Sequence, residues 1–362
     1  MNIETPAIVI NRTVMRQNIK RMAEIARQNR VELRPHVKTH KIPAFALEQI
    51  AAGAVGVTVA KIAEAEVMAE HGVKDIFIAY PIVVPSKIAR VIKLARLVKM
   101  SVGVDSLVGA RQLSAAAEEA GVLLDIRLEI DTGLKRTGVV PEDALSLSKS
   151  IQALPGLNLN GVFTYKGAMY QGQSTLDLEA AGEEEGRLMV AVAEELRTNG
   201  IPIEHVSVGS SPSAASVAKV KGITEIRPGT YIFYDRMQTK LGVSTLQDCA
   251  ARVVVTVVSI SPELVVVDGG SKTFATDVQP NQAPLNLRGF GEVIGYPEAV
   301  LERMNEEHGM IRMNTPHQLQ IGDIIEIVPN HICSTVNLHN AVYVEDEHGI
   351  ESMTVLGRGK LE

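Results

Sequence analysis

Strand-like and helix-like segments alternate along most of this chain, and that alternation restricts its fold more than any other feature. From residue 12 onward, short runs rich in valine, isoleucine and aromatic residues are separated by alanine-rich runs with helical spacing of apolar side chains. Eight such alternations occupy about 230 residues, close to the size of a parallel β/α barrel. We therefore predict a (β/α)8 TIM-type barrel over residues 12–240.

The sequence changes character after Gly242. The segments that follow are strand-like, with Gly, Pro and Asn turns and little helix between them: ARVVVTVVSI, ELVVVDGGS, DIIEIVPN, NAVYVEDEHG and ESMTVLGRGK. This pattern predicts a second, all-β domain over residues 241–362. The opening run TPAIVI reads as another strand, so residues 1–11 are predicted to join that domain.

Charge and composition narrow the class of protein. The net charge of −6 argues against nucleic acid as a main partner, because such proteins usually present a basic surface. The opening MNIETPAIVI lacks the pattern of a secretion signal, and apolar runs such as VVVTVVSI are far shorter than the roughly 20 residues of a membrane span. Two cysteines do not suggest a disulfide framework. We expect a cytoplasmic protein with no membrane partner.

The stretch Val31 to Lys41, VELRPHVKTHK, is the first predicted strand of the barrel. Period-two alternation would place apolar side chains on one face and four polar ones, Arg34, His36, Lys38 and His40, on the other. A buried cation without a partner is costly, so this row is either solvated or part of a prepared site. Lys38 would lie near the carboxyl end of the strand, where barrels place their chemistry.

Other polar side chains also stand where predicted strands end. They are Arg127, Glu129 and Asp131, with Arg136 just beyond, then Tyr165 and Lys166, the run Gly209-Ser210-Ser211, and the run Arg227-Pro228-Gly229-Thr230. The last two runs follow strands seven and eight, the usual phosphate-binding loops of barrels. Ser211 could cap a helix that Pro212 begins, although an ordinary serine-rich turn would have the same sequence.

A lysine in a barrel mouth with a phosphate site suggests an imine-forming lysine and pyridoxal phosphate. The alternative for Lys38 is a structural salt bridge to Asp131 or Glu129. A second candidate site is the pair His331 and Cys333, two positions apart on a predicted extended segment, whose side chains would project to the same side and could share a metal. The alternative is a capping histidine beside a buried cysteine.

Several stretches of this chain resemble those of a known family. The stretch RPHVKTHK, with TPAIVI and GAVGVTVAKIAEAE, resembles the alanine-racemase-like (fold-type III) pyridoxal phosphate enzymes, and among them the D-threonine aldolase and D-serine dehydratase group. The resemblance implies a homodimer, a D-amino acid substrate and a divalent metal, zinc or manganese, bound by His331 and Cys333.

The resemblance also assigns roles around the cofactor. Lys38 would bind pyridoxal phosphate, Arg136 would lie near its phenolic oxygen, and Arg227 would face its pyridine nitrogen. The remaining cofactor-binding residues would be His36, Tyr165, Gly209, Ser210, Ser211, Gly229 and Thr230.

The implied reaction is aldol cleavage of a β-hydroxy-D-amino acid to glycine and an aldehyde. Related aldolases carry a histidine shortly after the tyrosine that matches Tyr165, whereas this chain reads TYKGAMYQG. Tyr170 or Gln171 occupies that neighbourhood, and neither an amide nor a tyrosine of ordinary pKa is a good base. The proton of the substrate hydroxyl would then have to go to metal-bound hydroxide, to Lys166 or to a water. Dehydration to a 2-oxo acid and ammonia, racemisation, and a non-catalytic cofactor-binding role are the alternatives.

Two further segments are open to more than one interpretation. The run VVVDGGSKTFATD, with Asp268, Lys272 and Asp277, resembles the β-domain signature of the group and would either approach a partner's active site or form a strand turn with solvated charges. The acidic run LEAAGEEEGRLM is predicted to be a solvated helix face.

Overall fold

The computed structural model describes residues 3–362. The helices are α1 Arg12–Asn29, α2 Pro43–Ala51, α3 Ile62–Glu70, α4 Pro85–Ala95, α5 Leu107–Ala120, α6 Pro141–Gln152, α7 Leu178–Thr198, α8 Ala214–Val217, α9 Arg236–Lys240 and α10 Ile332–Val336. The first eleven strands are β1 Ala7–Asn11, β2 Glu32–Leu33, β3 Val57–Val59, β4 Asp75–Pro81, β5 Lys99–Val104, β6 Leu124–Glu129, β7 Leu157–Phe163, β8 Met169–Tyr170, β9 Gln173–Ser174, β10 His205–Val208 and β11 Glu225–Ile226. The later strands are β12 Ala251–Ile260, β13 Leu264–Val267, β14 Gly291–Val293, β15 Val300–Met304, β16 Gly309–Arg312, β17 Ile324–Pro329, β18 Ala341–Asp346 and β19 Gly349–Thr354.

Eight parallel strands form the predicted barrel sheet, in the order β2-β11-β10-β7-β6-β5-β4-β3. The two end strands meet through a bridge between His36 and Thr58, and the Thr58 N–H donates to the Pro35 carbonyl at 2.8 Å. The strands therefore close on themselves. The fold class predicted from the alternation is confirmed, because each strand is followed by a helix or turn that returns the chain to the same end of the sheet.

The local sequence explains why the helices of the barrel begin and end where they do. Helix α5 starts after Ser106, whose hydroxyl accepts a hydrogen bond from the Gly109 N–H at 3.3 Å, and it stops at Gly121, which adopts the left-handed conformation with φ of 64°. Helices α2, α4 and α6 each begin with a proline, which suits the first helical turn.

The first predicted strand is much shorter than its alternating pattern suggested. Strand β2 ends at Leu33, and Val37–Thr39 forms a 3-10 turn, so the prediction of one continuous strand through Lys38 is wrong. Pro35 has no N–H to continue a strand ladder, which is the physical reason for the early end. Arg34 is instead buried, paired with Asp75 at 2.5 Å and Glu225 at 2.6 Å.

The second sheet has nine strands and is mostly antiparallel. Its main path runs β15-β16-β13-β12-β1-β18-β19, and β17 pairs with both β12 and β14. Strand β1 lies between β12, with which it is antiparallel, and β18, with which it is parallel. Strands β14, β15 and β16 were not predicted, because they are short and lie in a segment rich in turn residues.

The chain divides into two compact units. One contains Arg21–Lys38, Ile42–Gly229 and Lys360–Glu362, and the other contains the described chain up to Lys20, Thr39–Lys41 and Thr230–Gly359. The boundary predicted at residue 240 stays a prediction, and residues 1 and 2 of the predicted N-terminal strand lie outside the described residues. Within residues 3–362, no helix is both long and apolar enough to span a membrane.

Candidate active site

Lys38 lies beside an aromatic ring that a second cation also approaches. Its amine is 5.4 Å from the centre of the Tyr165 ring, and the Arg136 guanidinium is 5.1 Å from the same centre. Among the residues that the structure describes, no carboxylate lies within 4 Å of the Lys38 amine, so the alternative of a salt bridge to Asp131 or Glu129 is not observed. The structure thus brings together three of the residues predicted to surround the cofactor.

Glu129 stands at the end of β6 with one oxygen unsatisfied. Its Oε1 accepts a hydrogen bond from the Thr137 hydroxyl at 2.8 Å, whereas its buried Oε2 has no hydrogen-bond partner in the described chain. Burial raises the pKa of Glu129, and Thr137 and Arg136 oppose that shift. Buried polar atoms are rarely left unpaired, so this oxygen is consistent with a place where a ligand is accommodated.

The loop from Gly209 to Ser213 is compact and held by hydrogen bonds within the protein. Gly209 has φ of 83°, a conformation that disfavours other residues, and the Ser210 N–H donates to the Ser213 hydroxyl at 3.1 Å. The predicted helix start at Ser211 and Pro212 is wrong, since α8 begins at Ala214 and has only four residues. A helix this short contributes little dipole, so anion binding here would depend on the loop itself.

Arg227, just after β11, is buried next to Ser207 and Thr164. Its guanidinium donates to the Ser207 hydroxyl at 2.6 Å and to the Thr164 carbonyl at 2.5 Å. Burial lowers the pKa of Arg227 to about 10, and Glu225 acts in the opposite direction. Of the other predicted cofactor residues, His36 is half-buried and its N–H donates to the Pro228 carbonyl at 2.9 Å, next to Gly229.

Lys166 is bound by one neighbour, whereas Tyr170 is partly exposed to solvent. The Lys166 side chain is 2% exposed and its amine binds the Glu184 carboxylate. Glu184 also accepts a hydrogen bond from the Gln171 N–H at 3.2 Å, beside the hairpin of β8 and β9, on which Tyr170 is 38% exposed. This contact occupies the Lys166 amine, so Lys166 is not placed to take a proton from a substrate.

The second candidate site lies in the other unit, at the start of α10. His331 precedes the helix and Cys333 lies inside it, so the predicted extended segment is wrong. The two side chains nevertheless lie close enough for each to shift the pKa of the other. The Cys333 sulfur also lies 3.2 Å from the Thr39 hydroxyl and 3.3 Å from that of Thr230, the residue predicted for phosphate.

The pKa values of His331 and Cys333 are shifted in opposite directions. Burial disfavours the Cys333 thiolate, but the adjacent His331 outweighs that effect and lowers the pKa of the thiol. Burial also disfavours the His331 imidazolium, yet Cys333 and Asp277 raise its pKa well above the usual value. An imidazole and a thiolate side by side are a donor set that suits zinc better than magnesium or calcium.

Sequence reasoning left the role of Asp277 open and did not name Asp235. The Asp277 carboxylate binds Nδ1 of His331 at 2.6 Å and accepts the Ser334 hydroxyl at 3.0 Å, which fixes the imidazole ring. Asp235 is buried and accepts the Ile332 N–H at 3.0 Å; burial raises its pKa to about 6. The only advance signal for Asp277 was its place in the run DGGSKTFATD.

The other charged residues of that run have ordinary surroundings. Asp268 accepts the Thr256 N–H at 2.8 Å and the Thr5 hydroxyl at 2.7 Å, and exposed Lys272 pairs with Glu307 at 2.7 Å. These contacts fit a strand turn with solvated charges.

A third group of possible metal ligands is unsuitable on electrostatic grounds. Ligand atoms of Glu32, His205 and Glu225 lie within 4.8 Å of one another. However, Arg34 and Arg127 both bind the Glu225 carboxylate, at 2.6 Å each. Two guanidinium groups at a carboxylate neutralise it and repel a cation, so we assign Glu225 to a buried ion-pair network and not to a metal site.

Two protein-family models match this chain, one over its first two thirds and one over its last third. The profile described as "Alanine racemase, N-terminal domain" matches residues 10–237, and the one described as "Putative serine dehydratase domain" matches residues 250–345. The chain is 33% identical to D-threo-3-hydroxyaspartate dehydratase from a Delftia species, covering 92% of each chain. It is 31% identical to D-threonine aldolase from an Arthrobacter species, covering 97% of this chain and 91% of the relative.

Solved structures of the dehydratase overlay closely on this chain. Two variants of that enzyme each give a TM-score of 0.90 at 32% identity. In one variant a histidine is replaced by alanine, and the match covers 98% of this chain and 95% of that chain. In the other variant, in the metal-free form, a cysteine is replaced by alanine, and the match covers 98% of this chain and 97% of that chain.

Proposed function

Since this chain belongs to the family that joins an alanine racemase N-terminal domain to a serine dehydratase domain, we propose that it is a pyridoxal phosphate- and metal-dependent lyase of β-hydroxy-D-amino acids. The observation that carries the proposal is the Lys38 amine, which faces Tyr165 and lies away from any described carboxylate. The relatives named as dehydratase and aldolase support the substrate class. The homodimer and the cytoplasmic location expected from the sequence remain proposals.

The residues present fit the cofactor. A free amine at Lys38, an unsatisfied oxygen on Glu129 and a loop held open at Gly209 are what an aldehyde-bearing, phosphorylated ring would require. Lys38 would hold the cofactor, the Gly209–Ser213 loop would bind its phosphate, and Arg227 would face its ring. When bound, pyridoxal phosphate supplies an electron sink for negative charge at the substrate Cα.

The residues present also fit a metal. His331 and Cys333 would hold zinc or manganese, and a thiol ligand favours zinc. A bound metal supplies a Lewis acid for the substrate's β-hydroxyl group. Asp277 keeps the imidazole of His331 in one orientation, which reduces the entropy lost on binding.

Dehydration is the reaction that the side chains favour. The amine of Lys38 can move the proton at the substrate Cα, whereas aldol cleavage needs a base for the proton of the β-hydroxyl. Lys166 is bound to Glu184 and Tyr170 is exposed, so neither of the residues proposed from the sequence is prepared for that second task. Aldol cleavage is the second candidate, and it is supported by the D-threonine aldolase relative.

Product analysis distinguishes these reactions. Purified protein loaded with pyridoxal phosphate and zinc or manganese would be incubated with D-threonine. We expect ammonia and 2-oxobutanoate; glycine and acetaldehyde would instead establish aldol cleavage, and threonine stereoisomers would establish racemisation.

Two controls test the assigned residues. Lys38→Ala should abolish turnover, and removal of metal by a chelator should reduce it at least about tenfold. Full activity of Lys38→Ala, or no turnover of D-threonine, D-serine or 3-hydroxy-D-aspartate by the loaded protein, would contradict the proposed function.

A further inference from the structure

The acidic run of α7 is not the solvated helix face that the sequence predicted. Gly182 and Gly186 bracket three glutamates, and both glycines lie against the segment that contains α8. A Cβ at Gly182 would collide with the Ser216 hydroxyl and lie 2.9 Å from the Ser216 Cβ, and one at Gly186 would lie 2.8 Å from a methyl carbon of Val220. The two glycines therefore allow α7 to pack directly behind the Gly209–Ser213 loop.

This close packing places the third glutamate, Glu185, against the loop. Its side chain is 1% exposed. Its Oε1 accepts the Gly209 N–H at 3.1 Å, and its Oε2 accepts the Ser213 hydroxyl at 3.1 Å. Glu185 thus binds both ends of the five-residue loop with its two oxygens.

A second layer of hydrogen bonds extends this contact through the loop. The Ser213 hydroxyl that donates to Glu185 accepts the Ser210 N–H at 3.1 Å. Gly209 is held in the left-handed region at the same time, so three of the five loop residues are fixed through one carboxylate. By contrast, Glu183, two positions earlier, has a side chain that is 44% exposed, and it pairs with exposed Arg187 at 2.7 Å.

Burying a carboxylate is unfavourable, and burial raises the pKa of Glu185. Such a cost is ordinarily retained where the group organises a site. A loop that already has its bound conformation loses less conformational entropy when a ligand arrives, and its affinity for that ligand rises accordingly.

We propose that Glu185 is a positioning residue that holds the Gly209–Ser213 loop in the conformation that binds the cofactor's phosphate. This inference rests on the proposed function, because it requires a phosphorylated cofactor at that loop. Glu185 does not contact the cofactor in this account; it acts through the Gly209 N–H and the Ser213 hydroxyl.

The test compares binding of pyridoxal phosphate with binding of pyridoxal, which lacks the phosphate. Dissociation constants for both would be measured by absorbance titration of the purified full chain, for wild type, Glu185→Gln, Glu185→Ala and the matched control Glu183→Gln. We expect Glu185→Gln to weaken pyridoxal phosphate binding about tenfold, equivalent to about 1.4 kcal/mol, and Glu185→Ala to weaken it further. Pyridoxal affinity should stay within about twofold of wild type, and Glu183→Gln should match wild type for both ligands.

The pattern of results separates the possible failures. Unchanged pyridoxal phosphate affinity in both Glu185 variants, or an equal loss for the two ligands, would overturn the role of Glu185 and leave the proposed function standing. A wild-type protein that does not prefer pyridoxal phosphate over pyridoxal would overturn the proposed function, and this inference with it. If the Glu185 variants do not fold, Ser213→Ala removes the same link and should produce the same phosphate-specific loss.

Discussion

Asp277 holds one of the two residues of the candidate metal pair. Its carboxylate lies 2.6 Å from Nδ1 of His331 and fixes the orientation and tautomer of the ring, which leaves the other ring nitrogen to act as a ligand. Because Asp277 is half-exposed and lies in a turn-rich segment, its replacement should disturb the pair more than the fold.

The first prediction concerns that contact. Asp277→Ala should weaken zinc binding about 10- to 100-fold, because the imidazole loses the partner that orients it and increases its basicity. The measurement is competition with a chromophoric chelator, and Glu307→Gln, an exposed acid in the same unit, is the matched control. Equal zinc affinity in Asp277→Ala and wild type would contradict the role assigned to Asp277.

His205 is a residue whose burial should make stability depend on pH. Burial, assisted by Arg127, lowers the pKa of His205 below its ordinary value of 6.5 in the folded protein. Between that lowered pKa and 6.5, the unfolded chain binds more protons than the folded protein at this position. The free energy of unfolding must therefore fall as the pH falls through this window, by at most about 1.4 kcal/mol per pH unit for one group.

The corresponding prediction is that His205→Gln loses less stability than wild type between pH 7 and pH 5. Urea denaturation followed by circular dichroism at several pH values measures the difference. His348→Gln, which changes an exposed histidine, is the matched control. A steeper loss of stability in His205→Gln would show that His205 does not resist protonation in the folded state.

At the scale of elements, helix α7 makes two contacts that its own sequence does not predict. Glu184 binds the Lys166 amine and the hairpin of β8 and β9. The next residue, Glu185, binds the Gly209–Ser213 loop. Helix α7 also lies close to α8, and Gly182 makes that approach possible. Helix–helix contacts at small residues are sensitive to single methyl groups, because protein interiors have few voids.

This packing gives a prediction with a definite sign. In an exposed helix, Gly→Ala stabilises by up to about 1 kcal/mol. At Gly182 the added methyl would collide with Ser216, so Gly182→Ala should instead destabilise the protein by about 1–3 kcal/mol. Urea denaturation measures the change, with Glu183→Ala, at a partly exposed position of α7, as control. Increased stability of Gly182→Ala would show that α7 and α8 are separated.

At the scale of the whole molecule, each sheet is completed by segments far apart in sequence. The barrel closes where His36 meets Thr58, and β11 pairs with β2 across nearly 200 residues of chain. In the second sheet, β1 pairs with β12 and with β18, so neither unit can be completed until most of the chain has been synthesised. Such non-local pairing is expected to make folding slow relative to helical proteins of similar size.

The sequence by itself determined the architecture. The alternation of strands and helices predicted the barrel and the change after Gly242 predicted the second sheet. It also suggested Lys38, His331 and Cys333 as site residues, from their local patterns and the family resemblance, and these assignments stay predictions. These features are local, because hydrophobic periodicity and residue spacing act over one element at a time.

The tertiary structure alone decided which charged side chains have partners. Arg34 shared a predicted strand face with Lys38, yet it is buried in an ion pair because Pro35 ends the strand before that face can form. Glu185 and Glu183 occupy similar positions in an acidic run, but only Glu185 meets a loop. Whether a charge is solvated or paired depends on which distant segment packs against it, and periodicity within one helix or strand carries no record of that segment.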